Sequence, residues 1–248
     1  SSLASFSPTK DFILLNVLED VKNRILVLRN DQSEWKSEPL MGAPQIGTVE
    51  VNAVDPDESN EFWMITSDYL TPNSLFHGQV GKQPELLKQL TAQFDARGLK
   101  VSQNFAISQD GTQVPYFVVS KEDIPLNGSN PTLLYGYGGF EISLTPSYNP
   151  AVGRAWCTQG GVYVVANIRG GGEYGPRWHQ AALKQNRLRA YEDFAAVAMD
   201  LVQRRITSPR RLGIQGGSNG GLLVGEKVAL YPPLFFSSRC QVTPPDNP

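Results

Sequence analysis

Gly216-Gly217-Ser218-Asn219-Gly220-Gly221 follows a short apolar run, Arg211-Leu212-Gly213-Ile214-Gln215, and precedes residues 222–230, which read as a helix. A strand, a glycine-crowded turn with serine at its apex and then a helix is the setting of a nucleophile elbow. The requirement is steric. The serine sits on strained backbone, so the residues two before and two after it must be small, and here they are Gly216 and Gly220. Such a turn lifts the Ser218 hydroxyl clear of the sheet and leaves the next N–H, that of Asn219, aimed at any oxyanion that forms there. A bare G-x-S-x-G pattern also fits an ordinary glycine-rich turn, and the flanking strand and helix favour the elbow.

Working back from Ser218, the chain alternates strand and helix from Pro131 onward. Residues 132–137 read as a strand running into Gly138-Gly139-Phe140. Residues 161–168 read as a predominantly apolar strand, as expected where both faces of a parallel sheet are covered. This strand ends in Arg169-Gly170-Gly171-Gly172-Glu173-Tyr174-Gly175. Phe194, Val197, Ala198, Leu201 and Val202 recur at steps of three and four, which predicts a helix over about 191–204. Ser208-Pro209 breaks it before the strand that leads to Ser218. The order predicts an α/β sheet with three glycine-rich loops at one strand edge, where catalytic groups gather. The loop after Arg169 lacks both the Lys-Ser/Thr ending and the G-x-G-x-x-G opening of a phosphate cradle, so nucleotide binding is discounted. It reads instead as an Arg-anchored loop on the floor of a site.

Three stretches resemble the prolyl oligopeptidase family of serine peptidases: residues 134–140, Leu-Tyr-Gly-Tyr-Gly-Gly-Phe; residues 166–175 with Trp178-His179; and residues 208–224 around Ser218. The resemblance is firm over about residues 100–242. It implies a partial α/β-hydrolase domain, preceded by β-strands like the last blades of a β-propeller that screens the site. Residues 1–80 are then the end of the propeller-like domain, 81–100 a linker and 101–248 the start of the peptidase domain. The resemblance further implies cleavage of short peptides after proline. In it, Ser218 is the nucleophile, the Asn219 N–H and the Tyr137 hydroxyl serve the oxyanion, and Phe140 lines the pocket for the proline ring. Tyr137-Gly138-Gly139-Phe140 and Asn219 resemble the proline-specific branch more than the branch that cleaves after Arg or Lys.

The first eighty residues carry their own signal. Residues 11–17, 24–29, 47–52, 61–67 and 74–78 are short β-type runs about every ten residues, separated by polar turns, as in a sandwich or propeller blades. Residues 83–100 read as a polar connection. Residues 101–120 read as a hairpin about Asp110-Gly111. The acidic run at 55–60 lacks the spaced ligands of a calcium loop, and Asn127-Gly128-Ser129 matches a glycosylation sequon that arises often by chance.

Composition removes several classes. The chain has 248 residues, 40% of them apolar, with 22 basic and 24 acidic side chains and a net charge of −2. That charge carries no like-signed block, so neither nucleic acid nor a membrane surface is an expected partner. Cys157 and Cys240 lack metal or disulfide spacing and read as buried thiols. No cofactor or metal is implied, and no apolar run matches a membrane span. The cytoplasm is the favoured compartment, with the periplasm as the alternative; oligomeric state is left open.

The resemblance fails in one respect. An α/β-hydrolase orders its triad Ser, acid, His along the chain. After Ser218 come Glu226 and Asp246 but no histidine, and the two histidines, His77 and His179, both precede it. His179 reads as structural, Glu226 as a solvated helix residue and His77 as a strand-end residue. Residues 237–239, Ser-Ser-Arg, stand where a buried strand would be apolar, and residues 243–248 lose the expected apolar pattern. The chain thus reads as a fragment with little peptidase activity of its own, since a serine hydroxyl without a base is a poor nucleophile. A related aminoacyl-peptidase or esterase, and a non-catalytic hydrolase scaffold, are the competing readings.

Overall fold

A computed structural model of the chain describes residues 1–230 and 237–241. It divides into two compact units, Ser1–Gln93 with Thr145–Pro150, and Phe94–Leu144 with Ala151–Pro248.

The first unit holds two four-stranded antiparallel sheets. One runs β1 (Ser2–Pro8), β2 (Ile13–Glu19), β3 (Lys22–Asp31), β4 (Glu34–Pro39), and the other β5 (Thr48–Ala53), β6 (Glu61–Ser67), β7 (Ser74–Gln79), β8 (Glu85–Gln89). Alternate residues Leu14, Ile25 and Val27 of the first sheet share a core with Val49, Val51, Phe62 and Met64 of the second. A closed polar ring ties them: Asn23 Nδ2 donates to Asn16 Oδ1 at 2.7 Å, Asn16 Nδ2 to the Val49 carbonyl at 2.8 Å, and the Val49 N–H to Asn23 Oδ1 at 3.1 Å. The buried amides are satisfied in this way, and the ring ties the first sheet to the second.

Three of these eight strands are absent from the sequence reading. β1 is largely exposed, and every residue of β4 and of β8 is exposed, so none shows the apolar alternation of a half-buried strand. The β3–β4 turn places Gln32 and Ser33 at positive φ, as a two-residue hairpin requires, without the glycine that announces such a turn. β8 also changes the reading of residues 81–100. The segment taken as a linker begins with an edge strand of the second sheet, and the compact units divide after Gln93.

The second unit is built on a six-stranded mixed sheet ordered β14-β13-β11-β12-β10-β9. Its strands are β9 (Leu99–Ile107), β10 (Gln113–Lys121), β11 (Thr132–Gly136), β12 (Val162–Ala166), β13 (Leu212–Gly217) and β14 (Ser237–Gln241). The last four run parallel, while β10 and β9 form an antiparallel hairpin at one side. The single turn α1 (Pro150–Val152) and the short α2 (Pro176–Gln180) precede the two long helices, α3 (Leu188–Gln203) and α4 (Asn219–Leu230). All five residues of β12 are buried, as expected of an inner parallel strand.

Helix α3 lays Phe194, Val197, Ala198 and Leu201, all fully buried, against β9, β10 and α4. Each of the larger side chains contributes about 1.5–3 kcal/mol by leaving water. The helix stops where Arg205 takes positive φ and the Ile206 N–H bonds back to the Leu201 carbonyl at 3.0 Å, two residues before Ser208-Pro209. Where residues 237–239 lack apolar character the sheet still continues. β14 pairs with β13 in parallel, and its Ser237 and Ser238 are exposed among the described residues. The side chain of Glu226 and residues 243–248 lie outside the described residues.

Candidate active site

Because β13, β11 and β12 are parallel neighbours, the loops that follow them emerge at one edge of the sheet. The β11 loop carries Tyr137 and Phe140, the β12 loop runs from Asn167 through Gly175, and Ser218 stands directly after β13. Ser218 is exposed and holds φ +52°, a left-handed backbone that non-glycine residues rarely adopt. The two flanking glycines have distinct steric reasons. A Cβ at Gly216 would overlap the Gly220 carbonyl, and a Cβ at Gly220 would press on the Gly136 carbonyl at the end of β11. The turn therefore closes on itself and against the neighbouring strand, and glycine is needed at both positions.

The β11 loop is fastened at both ends. At its start, Asn219 Nδ2 donates to the Tyr137 carbonyl at 2.7 Å. Arg187 donates to the Gly138 carbonyl through Nη1 and to Asn219 Oδ1 through Nη2 at 3.1 Å. Farther along, Phe140 and Glu141 both take positive φ, and the Phe140 ring is 73% exposed. The Glu141 N–H faces the Gly170 carbonyl at 3.3 Å and His179 Nδ1 at 3.2 Å, while His179 Nδ1 lies 2.7 Å from the Gly170 carbonyl. Donation by Nδ1–H to Gly170 is the tautomer that short contact requires. In that tautomer the His179 ring bonds the β12 loop, and the Glu141 N–H is left to the Gly170 carbonyl.

Residue 144 is clasped by two buried side chains of the β12 loop. Asn167 Nδ2 donates to the Leu144 carbonyl at 2.9 Å, and Glu173 Oε1 accepts the Leu144 N–H at 3.1 Å and Asn167 Nδ2 at 3.3 Å. Glu173 is 1% exposed. Burial pushes its carboxyl up to about 7, against the pull of the Leu144 N–H, its own N–H and the Asn167 amide, which favour the charged form.

Arg169 anchors the other side of that loop. Its Nε and Nη2 reach the two Asp193 carboxylate oxygens at 2.9 and 2.7 Å, and its backbone N–H donates to Asp193 at 3.0 Å. Nη1 meets Asp110 at 2.6 Å, and Ser108 Oγ donates to Asp193 at 2.6 Å. Burial acts to lower the arginine's proton affinity, but the bonds to Asp193 and Asp110 outweigh it and hold the guanidinium more firmly charged than usual. The same arginine holds the Asp110 carboxyl well below the ordinary carboxylate range. Sequence predicts an Arg-anchored loop here, and the structure supplies the anchors, from α3 and from the β9–β10 turn. Among the described residues no group of three or more His, Cys, Asp or Glu side chains comes together.

Residues 147–243 match the model of the prolyl oligopeptidase family. An uncharacterized peptidase of Sinorhizobium fredii is 43% identical over 97% of this chain, which covers 33% of that protein. A prolyl endopeptidase of Elizabethkingia miricola is 38% identical over 70% of this chain and 25% of its own. The solved structure of a post-proline cleaving enzyme from Rickettsia typhi superposes with a TM-score of 0.83 at 34% identity, covering 96% of this chain and 34% of that one. The chain belongs to the prolyl oligopeptidase family. It spans about a third of the length of the curated relatives that match nearly all of it.

The stretch matched by the family model includes the elbow, the Arg169 loop and Arg187, and it begins after Tyr137 and Phe140. Of the residues singled out from sequence, Ser218, Asn219, Tyr137 and Phe140 fall on two adjoining loops of the sheet edge, and Asn219 bonds the Tyr137 backbone directly. His77 lies in the first unit, tilted against Trp63 with ring centroids 4.9 Å apart and 3.8 Å from Glu61. Arg187, Asp193 and Asn167 were not singled out. Each works through partners tens of residues away in sequence or through backbone carbonyls, and neither leaves a spacing pattern to read.

Proposed function

We propose that this chain is part of a serine peptidase that cleaves short peptides on the carboxyl side of proline. The observation that carries the reading is Ser218, an exposed hydroxyl held at φ +52° between a parallel strand and a helix. Ser218 Oγ attacks the carbonyl carbon that follows the proline ring, while a general base takes the hydroxyl proton. The Asn219 N–H and the Tyr137 hydroxyl stabilise the oxyanion of the tetrahedral intermediate. Collapse of that intermediate expels the amine, which receives the proton, and leaves an acyl-enzyme that water hydrolyses.

Phe140 supplies the proline pocket. An aromatic ring 73% exposed on a left-handed backbone offers apolar surface that a proline ring would cover. Relatives named prolyl endopeptidase and post-proline cleaving enzyme support this specificity. Two four-stranded antiparallel sheets in the first unit suit propeller blades that restrict entry to short peptides. Among the described residues no hydrogen bond joins Ser218 to either histidine; His179 Nδ1 meets the Gly170 carbonyl, and His77 lies against Trp63 and Glu61. The reading therefore takes its acid and base from outside these residues.

The test is hydrolysis of a chromogenic peptide with proline before the scissile bond by the full-length protein. Ser218→Ala is expected to lower kcat by roughly 10⁴–10⁶-fold with folding intact. Turnover retained by that variant would remove Ser218 from the chemistry. A matching rate on acyl-aminoacyl or simple ester substrates would remove the proline preference.

A further inference from the structure

Arg187 stands at the N-cap of α3, outside every recognisable motif, and its guanidinium joins the two loops that carry the oxyanion donors. We propose that Arg187 is a positioning residue that fixes the distance between the Tyr137 hydroxyl and the Asn219 N–H. The inference rests on the roles given to Ser218, Tyr137 and Asn219 above.

The geometry is a chain of hydrogen bonds with only one consistent polarity. Arginine carries donors and no acceptor, so Nη2 at 3.1 Å from the Asn219 amide requires that amide to present Oδ1. Its Nδ2 is then left facing the Tyr137 carbonyl, where it donates at 2.7 Å. The other arm of the fork, Nη1, donates to the Gly138 carbonyl. Two successive carbonyls of the β11 loop are therefore tied to the residue after Ser218, one directly and the other through the arginine. Tyr137 owns one of those carbonyls and one proposed oxyanion donor, and Asn219 owns the other donor.

The surroundings leave little room for drift. A Cβ at Gly139 would overlap the Asn219 amide, and a Cβ at Gly170 would overlap the Gly138 carbonyl and stand 3.1 Å from Arg187 Nη1. The guanidinium carbon lies 5.3 Å from the centroid of the Tyr191 ring, one turn along α3, which holds the fork from its other face. Among the described residues no carboxylate forms an ion pair with Arg187. Its bonds go instead to neutral oxygens of the site. A planar fork with two donors at fixed separation suits such bridging, whereas a lysine ammonium would serve only as a point charge.

Displacing a donor from its position in an oxyanion hole is costly because the stabilisation depends on distances set before the reaction begins. The experiment compares Arg187→Met and Arg187→Lys with the wild-type full-length protein on the chromogenic proline peptide. Binding of a peptide aldehyde ending in prolinal, which forms a hemiacetal oxyanion on Ser218, and of the matching product peptide ending in proline is measured beside it. Arg187→Met is expected to lower kcat by about 10²-fold with KM within about threefold, and to weaken the aldehyde but not the product peptide by a similar factor. Arg187→Lys keeps the charge and is expected to recover less than about tenfold of the loss. A loss that acts on packing alone would shift the melting temperature without separating aldehyde from product peptide.

The rate at which a fluorophosphonate labels Ser218 provides a readout independent of substrate, because its P=O oxygen occupies the same donors. Wild-type kcat and labelling in Arg187→Met, with Ser218→Ala inactive, would overturn the positioning role and leave the peptidase reading standing. Wild-type behaviour in Arg187→Lys would assign the effect to charge and likewise overturn the fork. If the wild type ignores proline peptides yet is labelled at Ser218, slowed labelling of Arg187→Met upholds the arginine while the specificity falls. Absence of both turnover and labelling in the wild type would remove both. Should Arg187→Met fail to fold, Arg187→Gln beside Arg187→Lys carries the same comparison.

Discussion

Two arginines meet the same helix, α3, in opposite ways. Arg169 is 4% exposed and reaches a fully buried carboxylate in the body of the helix, Asp193, with Asp110 closing over its other edge. Arg187, at the N-cap, is half-buried and gives its donors to a backbone carbonyl and a side-chain amide. A buried cation that loses its counter-ion is left uncompensated in a medium that solvates it poorly. A half-solvated cation that loses neutral acceptors turns to water. Around Arg169 the hydrogen bonds hold the fold together, and around Arg187 they set the spacing of groups in the site. Proximity to Ser218 does not by itself tell these roles apart; the charge and burial of the partner do.

The largest expected effect tests that division directly. Asp193→Ala should destabilise the protein by about 3–5 kcal/mol, the usual cost of stranding a buried ion. Arg187→Met should cost about 1–2 kcal/mol, in keeping with hydrogen bonds that water can partly replace. Urea denaturation of the two variants against wild type reads both. Equal losses would erase the distinction, and the activity defect of the Arg187 variant would then count as instability.

Glu173 is the intermediate case: fully buried like Asp193, yet bonded to an amide and a backbone N–H like the groups around Arg187. Its carboxyl is raised from 4.5 to about 7 in the folded protein, chiefly by burial. A raised value means that the folded state holds the proton more tightly than the unfolded chain. The stability it contributes is full below about pH 4.5 and fades as pH climbs through about 7. That interval corresponds to roughly 3 kcal/mol. Glu173→Gln keeps the shape without the titration. The wild type is therefore expected to lose about that much stability relative to the variant between pH 4.5 and 8. Parallel stability curves for the two proteins across that range would show that the buried carboxyl ionises there without penalty.

What could be read in the sequence divides along the same physical lines. Ser218 was legible because steric exclusion writes glycine at two fixed offsets, Gly216 and Gly220, whatever else the chain does. β12 was legible because burial on both faces leaves an unbroken apolar run, and α3 because its buried residues fall at three- and four-residue steps. β4 and β8 were not, since an exposed edge strand is held by backbone bonds that place no demand on its side chains. Asp193 lies 24 residues from Arg169, and Arg187 lies 49 from Gly138 and 32 from Asn219. Pairings at such separations are created by the fold, and nothing in local spacing announces them. The Arg169 loop shows the boundary well: one end of its anchor could be read and the carboxylates that receive it could not.

The smallest effect belongs to Asp110, which shares Arg169 with Asp193 but sits with 39% of its side chain exposed. Its carboxyl is held below the ordinary range, first by the hydrogen bond from Arg169. A lowered value reverses the sign found for Glu173. The stability that Asp110 contributes is present above the unfolded carboxylate value and is lost as pH falls toward the folded one. Because water reaches this pair and screens it, Asp110→Asn is expected to cost only about 1 kcal/mol at neutral pH. That cost should shrink further in high salt and vanish in acid. Asp193→Ala should keep its larger cost in high salt, since its partner is buried away from mobile ions. Denaturation of both variants at low and high salt separates them. If Asp110→Asn proved as costly and as indifferent to salt as Asp193→Ala, Arg169 would be a triad with two equal anchors. The contrast with Arg187 would then rest on having charged partners at all, exposed or buried, rather than on their burial.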